Sequence, residues 1–194
     1  MRLLSLLAAL TLFAQAPSAV FEIELWPGEG RPQFQAVANE LTIREMPSTS
    51  ARIVRRLRVS RGQQLVFDET RYRTTESGHL QVLSATTVTG RILGTTRLLT
   101  RDAYYSGQFP RQQVAFKEGD VIEYLQYRAE GTCFVRIADQ VVNAEYPCPA
   151  QDDGRFRVIT QPKTEWWIRI VLNRAPVGWV MVDEKAVKES GRSG

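Results

Sequence analysis

Histidine and cysteine are scarce in this chain, which contains one histidine, His79, and two cysteines, Cys133 and Cys148. A zinc site needs more Cys or His ligands than these, and a nucleophilic triad needs a histidine close to a serine or cysteine and an orienting acid. His79 follows a Ser-Gly pair, a setting typical of a polar turn residue. We therefore predict that the protein is not an enzyme and that it has no catalytic residues, no metal site and no cofactor.

Helical periodicity is almost absent as well. Only residues 183–189 have a pattern compatible with a single turn of helix. The remaining β-branched and aromatic runs are short and are bounded by Gly, Pro, Asp or Asn, and they lie at 57–59, 64–67, 80–83, 121–127, 133–137, 156–159, 166–172 and 177–182. Strands this short and this closely spaced predict an all-β fold of small barrels rather than a parallel sheet with crossover helices.

A long hydrophobic run occurs only at the N-terminus. One cation, Arg2, precedes an apolar run from Leu3 to Phe13, which is followed by small residues and a proline. The run is too short for a membrane span, which needs about 20 residues, and it has the layout of a secretory signal peptide. We therefore predict a signal peptide at residues 1–19, no transmembrane segment in the mature chain, and export to the periplasm or the exterior.

Export to an oxidising compartment favours a structural role for the two cysteines. In an oxidising compartment, an even number of cysteines with no thiol left over predicts a disulfide between Cys133 and Cys148. Two separate buried thiols are the alternative. Neither arrangement makes these residues catalytic.

A strong charge surplus is lacking, since 25 lysines and arginines face 21 aspartates and glutamates. For an exported chain this balance argues against a nucleic-acid partner. Arg56 and Arg58 share one face of a predicted strand, which predicts a positive strip that contacts an anionic cell-wall polymer, lipid headgroups or an acidic protein. The alternative is a solvated face that keeps an edge strand from pairing.

Two distant parts of the chain follow one known pattern. The segment LTIREMPSTS at 41–50 has a strand ending in arginine and a Pro-Ser turn, and GQQLV at 62–66 has a glycine before a further strand. Near the C-terminus, WIRI at 167–170 is followed by GWV at 178–180. These segments resemble the opening and the closing strands of bacterial SH3-like (SH3b) domains.

Each copy of the pattern is incomplete. In the first copy, His79 and Arg91 stand where the family usually has tryptophans, whereas the second copy keeps Trp167 and Trp179 but lacks the opening strand and its turn. The resemblance implies two small SH3-like barrels, one at 38–105 and a divergent one at 110–189. Residues 128–165, which include both cysteines, are then a disulfide-stapled insertion in the second barrel.

Strand alternation selects the candidate ligand contacts. If Ile168 and Ile170 point into the barrel, Trp167 and Arg169 point out of it. An outward tryptophan beside an arginine can stack on a sugar ring or a peptide, so this pair is the first candidate binding site. Arg56 and Arg58 form the second candidate. The alternative for Trp167 is that the insertion or the first barrel covers it, because large aromatic side chains are seldom left exposed without a use.

These features indicate a non-catalytic, exported binding module of the bacterial cell envelope that recognises a cell-wall peptide or glycan, as in peptidoglycan binding. The alternative is a protein-interaction or scaffold subunit, in which the arginine face or a strand edge docks another exported protein. The expected partner is therefore a cell-wall polymer or an exported protein.

Overall fold

The computed structural model of the protein describes residues 19–129, 131–145, 148 and 154–193. The predicted signal peptide lies outside the described residues, apart from Ala19. The all-β prediction is confirmed, because the described elements are strands with a single short helix. In chain order the elements are β1 (Phe21–Ile23), β2 (Arg31–Ala36), β3 (Glu40–Arg44), β4 (Ile53–Arg58), β5 (Gln64–Leu65), β6 (Phe67–Glu76), β7 (Gly78–Val82), β8 (Thr86–Gly94), β9 (Leu98–Leu99), α1 (Arg101–Tyr105), β10 (Arg111–Phe116), β11 (Val121–Ala129), β12 (Thr132–Ile137), β13 (Gln140–Ala144), β14 (Phe156–Thr160), β15 (Lys163–Leu172), β16 (Ala175–Val182) and β17 (Val187–Ser193).

Sheet 1 joins the two ends of the chain. Its strand order is β4-β3-β16-β15-β6-β1-β9. Strand β15 pairs antiparallel with both β16 and β6, so Trp167 lies between Met181 and Arg71. The early strand β3 pairs with the late strand β16 through Arg44 and Trp179. Three of the four segments on which the SH3-like resemblance rests, at 41–50, 167–170 and 178–180, therefore meet in this sheet, whereas the segment at 62–66 contributes β5 to another sheet.

Sheet 2 is built from the middle of the chain. Its order is β10-β8-β13-β12-β11-β7-β14, and its strands all fall between Gly78 and Thr160. Sheet 3, in the order β17-β2-β5, again combines both ends of the chain. Sheet 2 is thus inserted between the segments that form sheets 1 and 3, although the short β9 returns to pair with β1.

The chain enters and leaves sheet 2 at one place. Glu76 at the end of β6 pairs with Lys163 at the start of β15, and the Lys163 Nζ lies 2.8 Å from the Glu76 carboxylate. Gly78 begins β7 beside the returning chain, and a Cβ atom there would lie only 2.7 Å from the backbone nitrogen of Pro162. Any side chain at Gly78 would therefore push the two crossing segments apart.

The expected pair of successive barrels differs from the structure. No sheet is closed among the described residues. The predicted boundaries at 38–105 and 110–189 cut across sheets 1 and 2, since each of these sheets takes strands from both ranges. Sheet 2 includes β7, β8 and β10, which precede the predicted insertion at 128–165 in the chain.

Three apolar clusters fill the spaces around these sheets. The first lies between sheets 1 and 3 and includes Phe34 and Ile168. The second lies inside sheet 2 and contains both cysteines. The third joins sheet 1 to sheet 2, where the rings of Phe21 and Phe134 are 5.1 Å apart. Burial of these side chains is the main force that holds the sheets together.

The predicted disulfide is present. Cys133 and Cys148 are bonded, with their Cα atoms 5.7 Å apart, and both are fully buried in the cluster inside sheet 2. The bond links β12 to the segment that follows β13.

The predicted helical turn at 183–189 is absent from the described structure. The Asp183 carboxylate accepts the backbone N–H groups of Lys185 and Ala186 at 2.9 and 2.7 Å, and Val187 then pairs with Ala36 in sheet 3. A side chain that bonds its own following backbone favours a turn over a helix, and the strand pairing of β17 completes the change.

Within the described part of the chain, no helix has the length and apolar character needed to cross a membrane.

Candidate anion-binding cleft

Trp167 does not face solvent. Alternation along β15 is as predicted, because Ile168 and Ile170 lie in the cluster between sheets 1 and 3 and Trp167 lies on the opposite face. That opposite face is also covered, and Trp167 is 1% exposed. Its indole Nε1 donates to the Glu165 carboxylate at 2.9 Å. The structure therefore corrects the prediction that Trp167 is exposed. It agrees with the alternative, in which other parts of the protein cover this side chain.

A buried arginine closes this face of sheet 1. Arg73 is 6% exposed, its Nε donates to Glu22 at 3.0 Å and its Nη1 lies 3.2 Å from Glu165. The same Nη1 also bonds the Pro47 carbonyl in the β3–β4 hairpin. The hairpin is thus tied to β6 and β15, so the tryptophan is held in an internal network rather than at an open surface.

Arg169 is engaged in the protein's own ion pairs. Its Nε and Nη2 donate to the two Asp68 oxygens at 2.9 and 3.0 Å, and its Nη1 lies 2.9 Å from Glu69. The hydrogen bond to Asp68 raises the pKa of Arg169. The guanidinium also lies 5.8 Å from the ring centre of Trp179. These contacts use the donors of Arg169 to hold sheet 1 together.

Arg56 and Arg58 lie on β4, which two other strands, β3 and β16, separate from β15 in sheet 1. Both are exposed, and Arg56 pairs with Glu40 at 3.2 Å. The four predicted contact residues therefore do not meet in one site. Trp167 is buried, Arg169 is partly exposed but held by Asp68 and Glu69, and the two β4 arginines lie on a separate edge.

A cavity lies beside α1, where sheet 2 meets the loop between β1 and β2. Its volume is about 950 Å³. Charged and aromatic side chains dominate its wall, and we call it the arginine cleft. These residues are Arg31, Arg91, Arg101, Arg111, Arg128, Glu29, Glu145, Trp26, Tyr104 and Tyr105.

The register of three neighbouring strands positions the side chains on one side of the cleft. Arg111 on β10 pairs with Arg91 on β8, and Arg91 pairs with Asn143 on β13, so the three side chains form a row across sheet 2. Glu145 neutralises part of this row, because its Oε1 lies 3.2 Å from the Arg91 Nε and 3.0 Å from the Arg111 Nε. One carboxylate shared by two arginines leaves most of their N–H donors for another acceptor.

Arg128 fixes the opposite side. Its Nη1 donates to the carbonyls of Trp26 and Gly28 at 3.1 and 3.0 Å, and the Gly28 N–H donates back to the Arg128 carbonyl at 2.8 Å. Gly28 has a φ of +84°, a backbone conformation that residues with a side chain rarely adopt. The Arg128 Nε is buried and has no hydrogen-bond partner among the described residues.

Aromatic rings support the arginines. The guanidinium carbons of Arg91 and Arg128 lie 5.7 and 5.8 Å from the ring centre of Tyr104, and that of Arg101 lies 5.3 Å from Trp26. The Tyr104 hydroxyl donates to Asn143 Oδ1 at 3.2 Å, which fixes the ring. Stacking on a ring face holds a guanidinium in place without using its N–H donors.

The cleft carries a positive surplus. Five arginines face two glutamates, a difference of three charges. Arg31, Arg101 and Arg128 make no ion pair within the described ranges. A concave wall of low dielectric strengthens the potential of such charges compared with a flat surface.

The cleft extends along α1. A neighbouring cavity of about 400 Å³ shares Arg91, Tyr104, Tyr105 and Arg111 with it and reaches Phe109. The combined groove is polar and positive at one end and more aromatic at the other. Arginine forks match the oxygens of carboxylates and phosphates, and aromatic faces pack against apolar or sugar-ring surfaces. This arrangement fits an anionic ligand longer than a single small ion.

Sequence reasoning missed this site. Arg91 was recognisable only as a residue at a usual tryptophan position, and the spacing in RDAYY at 101–105 was a local signal of arginine near aromatic rings. The ten cleft residues come from five elements and two loops, so their proximity depends on strand pairing that no local spacing reveals.

His79 lies outside the cleft. It is exposed on β7, and its Nδ1 is 3.1 Å from the Thr160 hydroxyl. Across the described ranges, no group of three or more His, Cys, Asp or Glu side chains has an arrangement that could hold a metal ion.

Comparison of the chain with protein-family models, with curated proteins and with solved structures finds no match.

Proposed function

We propose that the protein is a non-catalytic binding protein of the bacterial cell envelope, exported to the periplasm or the exterior, which holds an anionic segment of a cell-wall peptide or glycan in the arginine cleft. One observation carries the proposal: the recessed groove of about 950 Å³ has five arginines set among aromatic rings and only two glutamates. The proposal includes that the protein binds this ligand without catalysing a reaction on it.

The ordered environment of the arginines favours binding of one oriented ligand over non-specific attraction of counterions. Arg91, Arg101 and Arg128 lie against rings, and Arg128 is also held by two carbonyl groups. Side chains that are already ordered lose less conformational entropy when a ligand binds. A carboxylate or phosphate among them gains charge-assisted hydrogen bonds, and the rings of Trp26 and Tyr105 offer contact surface to the uncharged part of the ligand.

An exported location has two supports. The disulfide between Cys133 and Cys148 is of the kind that persists in oxidising compartments. The N-terminal pattern of one cation followed by a short apolar run is that of a secretory signal peptide.

The SH3-like resemblance enters the proposal in a revised form. We infer one SH3-like unit split by an insertion, rather than two barrels. Its support is that β3, which opens the pattern, pairs with β16, which closes it, while sheet 2 is formed by the intervening chain. The arginine cleft then lies where the inserted sheet meets the split unit.

Cosedimentation with purified peptidoglycan tests the function. The protein is mixed with native sacculi and with sacculi whose carboxyl groups have been amidated, at low and at physiological salt. We expect binding to the native polymer and at least about tenfold weaker binding after amidation, because arginine–carboxylate hydrogen bonds are lost.

Two matched variants locate the binding surface. Arg101→Gln removes a cleft arginine, and Arg58→Gln makes the same change on the exposed β4. We expect the first to weaken binding about tenfold and the second to leave it unchanged. Equal losses in both variants, or equal binding to native and amidated sacculi, would contradict the proposed role of the cleft.

A further inference from the structure

Strand β4 is an open edge of sheet 1. It pairs with β3 from Glu40↔Arg58 to Arg44↔Ile53, and no other described strand lies on its far side. An antiparallel edge strand presents backbone N–H and C=O groups on its unpaired side, which can pair with a further strand. This feature is independent of the arginine cleft and does not rest on the function proposed for it.

The side chains of β4 are unusually exposed for a strand. Five of its six residues are exposed and only Leu57 is half-buried. Ile53 and Val54 are 44% and 41% exposed, so the edge offers apolar contact as well as backbone groups. No proline interrupts the strand. A neighbouring strand would therefore find both hydrogen-bonding groups and side-chain surface along the whole of β4.

Positive charge determines which strand fits. Arg55 and Arg58 make no ion pair in the described part of the chain, and Arg56 has one exposed partner, Glu40. Arg52 and Arg61 flank the strand. We call Arg52, Arg55, Arg56, Arg58 and Arg61, with the backbone of β4, the β4 strip.

A second copy of the chain is a poor occupant of this edge. Two β4 strands paired with each other would bring like charges together, which is destabilising in cross-strand pairs. The same arginines repel basic segments and pair with carboxylates. From these contacts we infer that the β4 strip docks an extended acidic segment of a protein partner by adding it as a further strand to sheet 1.

A synthetic peptide tests this inference. The probe is a dye-labelled peptide of about eight alternating glutamate and valine residues, long enough to cover the six residues of β4. Fluorescence anisotropy measures its affinity for the purified, oxidised protein, and amide hydrogen exchange follows residues 53–58. We expect saturable one-to-one binding and added protection of alternate β4 amides.

Two controls separate strand addition from simple charge attraction. Two versions of the peptide are N-methylated at alternate residues, each blocking one edge of the added strand. At least one version should bind about tenfold more weakly, because it cannot donate to β4. The R55E/R58E variant should lose about as much, whereas K117E/K188E, which makes the same charge change at exposed lysines elsewhere, should keep its affinity.

Several results would overturn the inference. These are the absence of saturable binding, equal binding by both methylated peptides and the parent, and an equal loss in K117E/K188E. Self-association of the protein with protection of residues 53–58 in the absence of peptide would also overturn it, since the occupant would then be a second copy.

Discussion

The arginine cleft and the β4 strip hold the same number of charges in different settings. Each has five arginines, and each has two nearby glutamates, Glu29 and Glu145 in the cleft and Glu40 and Glu45 beside β4. On the strip, the side chains of Arg52 and Arg56 are 72% and 67% exposed, whereas Arg91 in the cleft is 29% exposed. Within the cleft, Arg91 and Arg128 are half-buried against the ring of Tyr104. The other three cleft arginines, Arg31, Arg101 and Arg111, are exposed, as the strip arginines are.

This difference separates two kinds of recognition. An exposed charge attracts any opposite charge and is screened by salt, so the strip gains its selectivity only in combination with backbone pairing. A recessed charge held by rings and carbonyls has a fixed direction and lies in a medium of lower dielectric constant, so the cleft can select a ligand by shape. The number of arginines does not distinguish the two surfaces. The burial and the orientation of their side chains do.

Loss of the disulfide should give the largest difference between the two surfaces, because it should weaken binding at the cleft and leave binding at the β4 strip unchanged. Cys133 pairs with Ala144 across β12 and β13, and its carbonyl accepts from Asn143 Nδ2 at 3.2 Å beside the cleft. Replacing both Cys133 and Cys148 with alanine opens a loop with a sequence separation of 15. We expect a loss of about 3 kcal/mol in the free energy of unfolding, measured with urea. Sacculus binding should weaken because a wall of the cleft loosens.

The β4 strip serves as the internal control for this variant. It belongs to sheet 1, which contains neither cysteine. Binding of the acidic peptide should therefore remain unchanged at temperatures where the variant is folded. Parallel loss of both activities in folded protein would show that the two surfaces are not independent.

Arg128→Met should have the next largest effect. The variant removes the two hydrogen bonds from Arg128 Nη1 to the loop carbonyls while keeping an apolar side chain of similar length. We expect the free energy of unfolding to fall by roughly 1.5–3 kcal/mol and sacculus binding to fall at least about tenfold. Urea unfolding and cosedimentation measure the two effects.

Arg58→Met is the matched variant on the strip. An exposed arginine with no ion pair among the described residues should change stability by less than about 0.5 kcal/mol. A comparable loss of stability in both variants would mean that the contacts of Arg128 do not order the cleft.

The sequence predicted local features well. Short runs became strands, the alternation of Ile168 and Ile170 against Trp167 is observed, and the two cysteines pair as expected. Each of these features depends on residues close in sequence or on a single pairing choice. The period of two along a strand follows from backbone geometry, whatever the strand packs against.

Long-range arrangement was not predictable in the same way. The pairing of Arg44 with Trp179 spans most of the chain, and no local pattern indicates a pairing between strands so far apart in sequence. Trp167 is bonded to Glu165, which Arg73 also contacts, and Arg73 in turn bonds the hairpin carbonyl of Pro47, a network that no spacing in the sequence indicates. The cleft was missed for the same reason.

Ionic strength should distinguish the two surfaces by a smaller factor. Raising salt from about 50 to about 300 mM screens the interactions of exposed charges more strongly than those of recessed ones. We expect the affinity of the acidic peptide for the strip to fall about tenfold and that of native sacculi for the cleft to fall by about threefold. Equal salt dependence would indicate that the cleft ligand also binds through exposed, unoriented charges.

The smallest effect concerns Glu45 and Arg52 at the base of the β3–β4 hairpin. The Arg52 Nε and Nη2 donate to the two Glu45 oxygens at 3.1 and 3.2 Å, and this hydrogen bonding holds the pKa of Glu45 below its ordinary value. Arg52→Met should therefore raise that pKa, which carboxyl NMR titration measures. The pair's contribution to stability is complete above the pKa of Glu45 in the unfolded chain and is lost as the pH falls through its lower folded-state pKa.

Arg58→Met is again the comparison, because Arg58 pairs with Glu40 in register and makes no bond to Glu45. It should leave the pKa of Glu45 unchanged. If instead both variants shift the pKa equally, Glu45 senses the summed field of the strip and not one oriented partner. Exposed arginines would then act collectively, and acidic segments would be held by charge density, with the order along β4 set by backbone pairing alone.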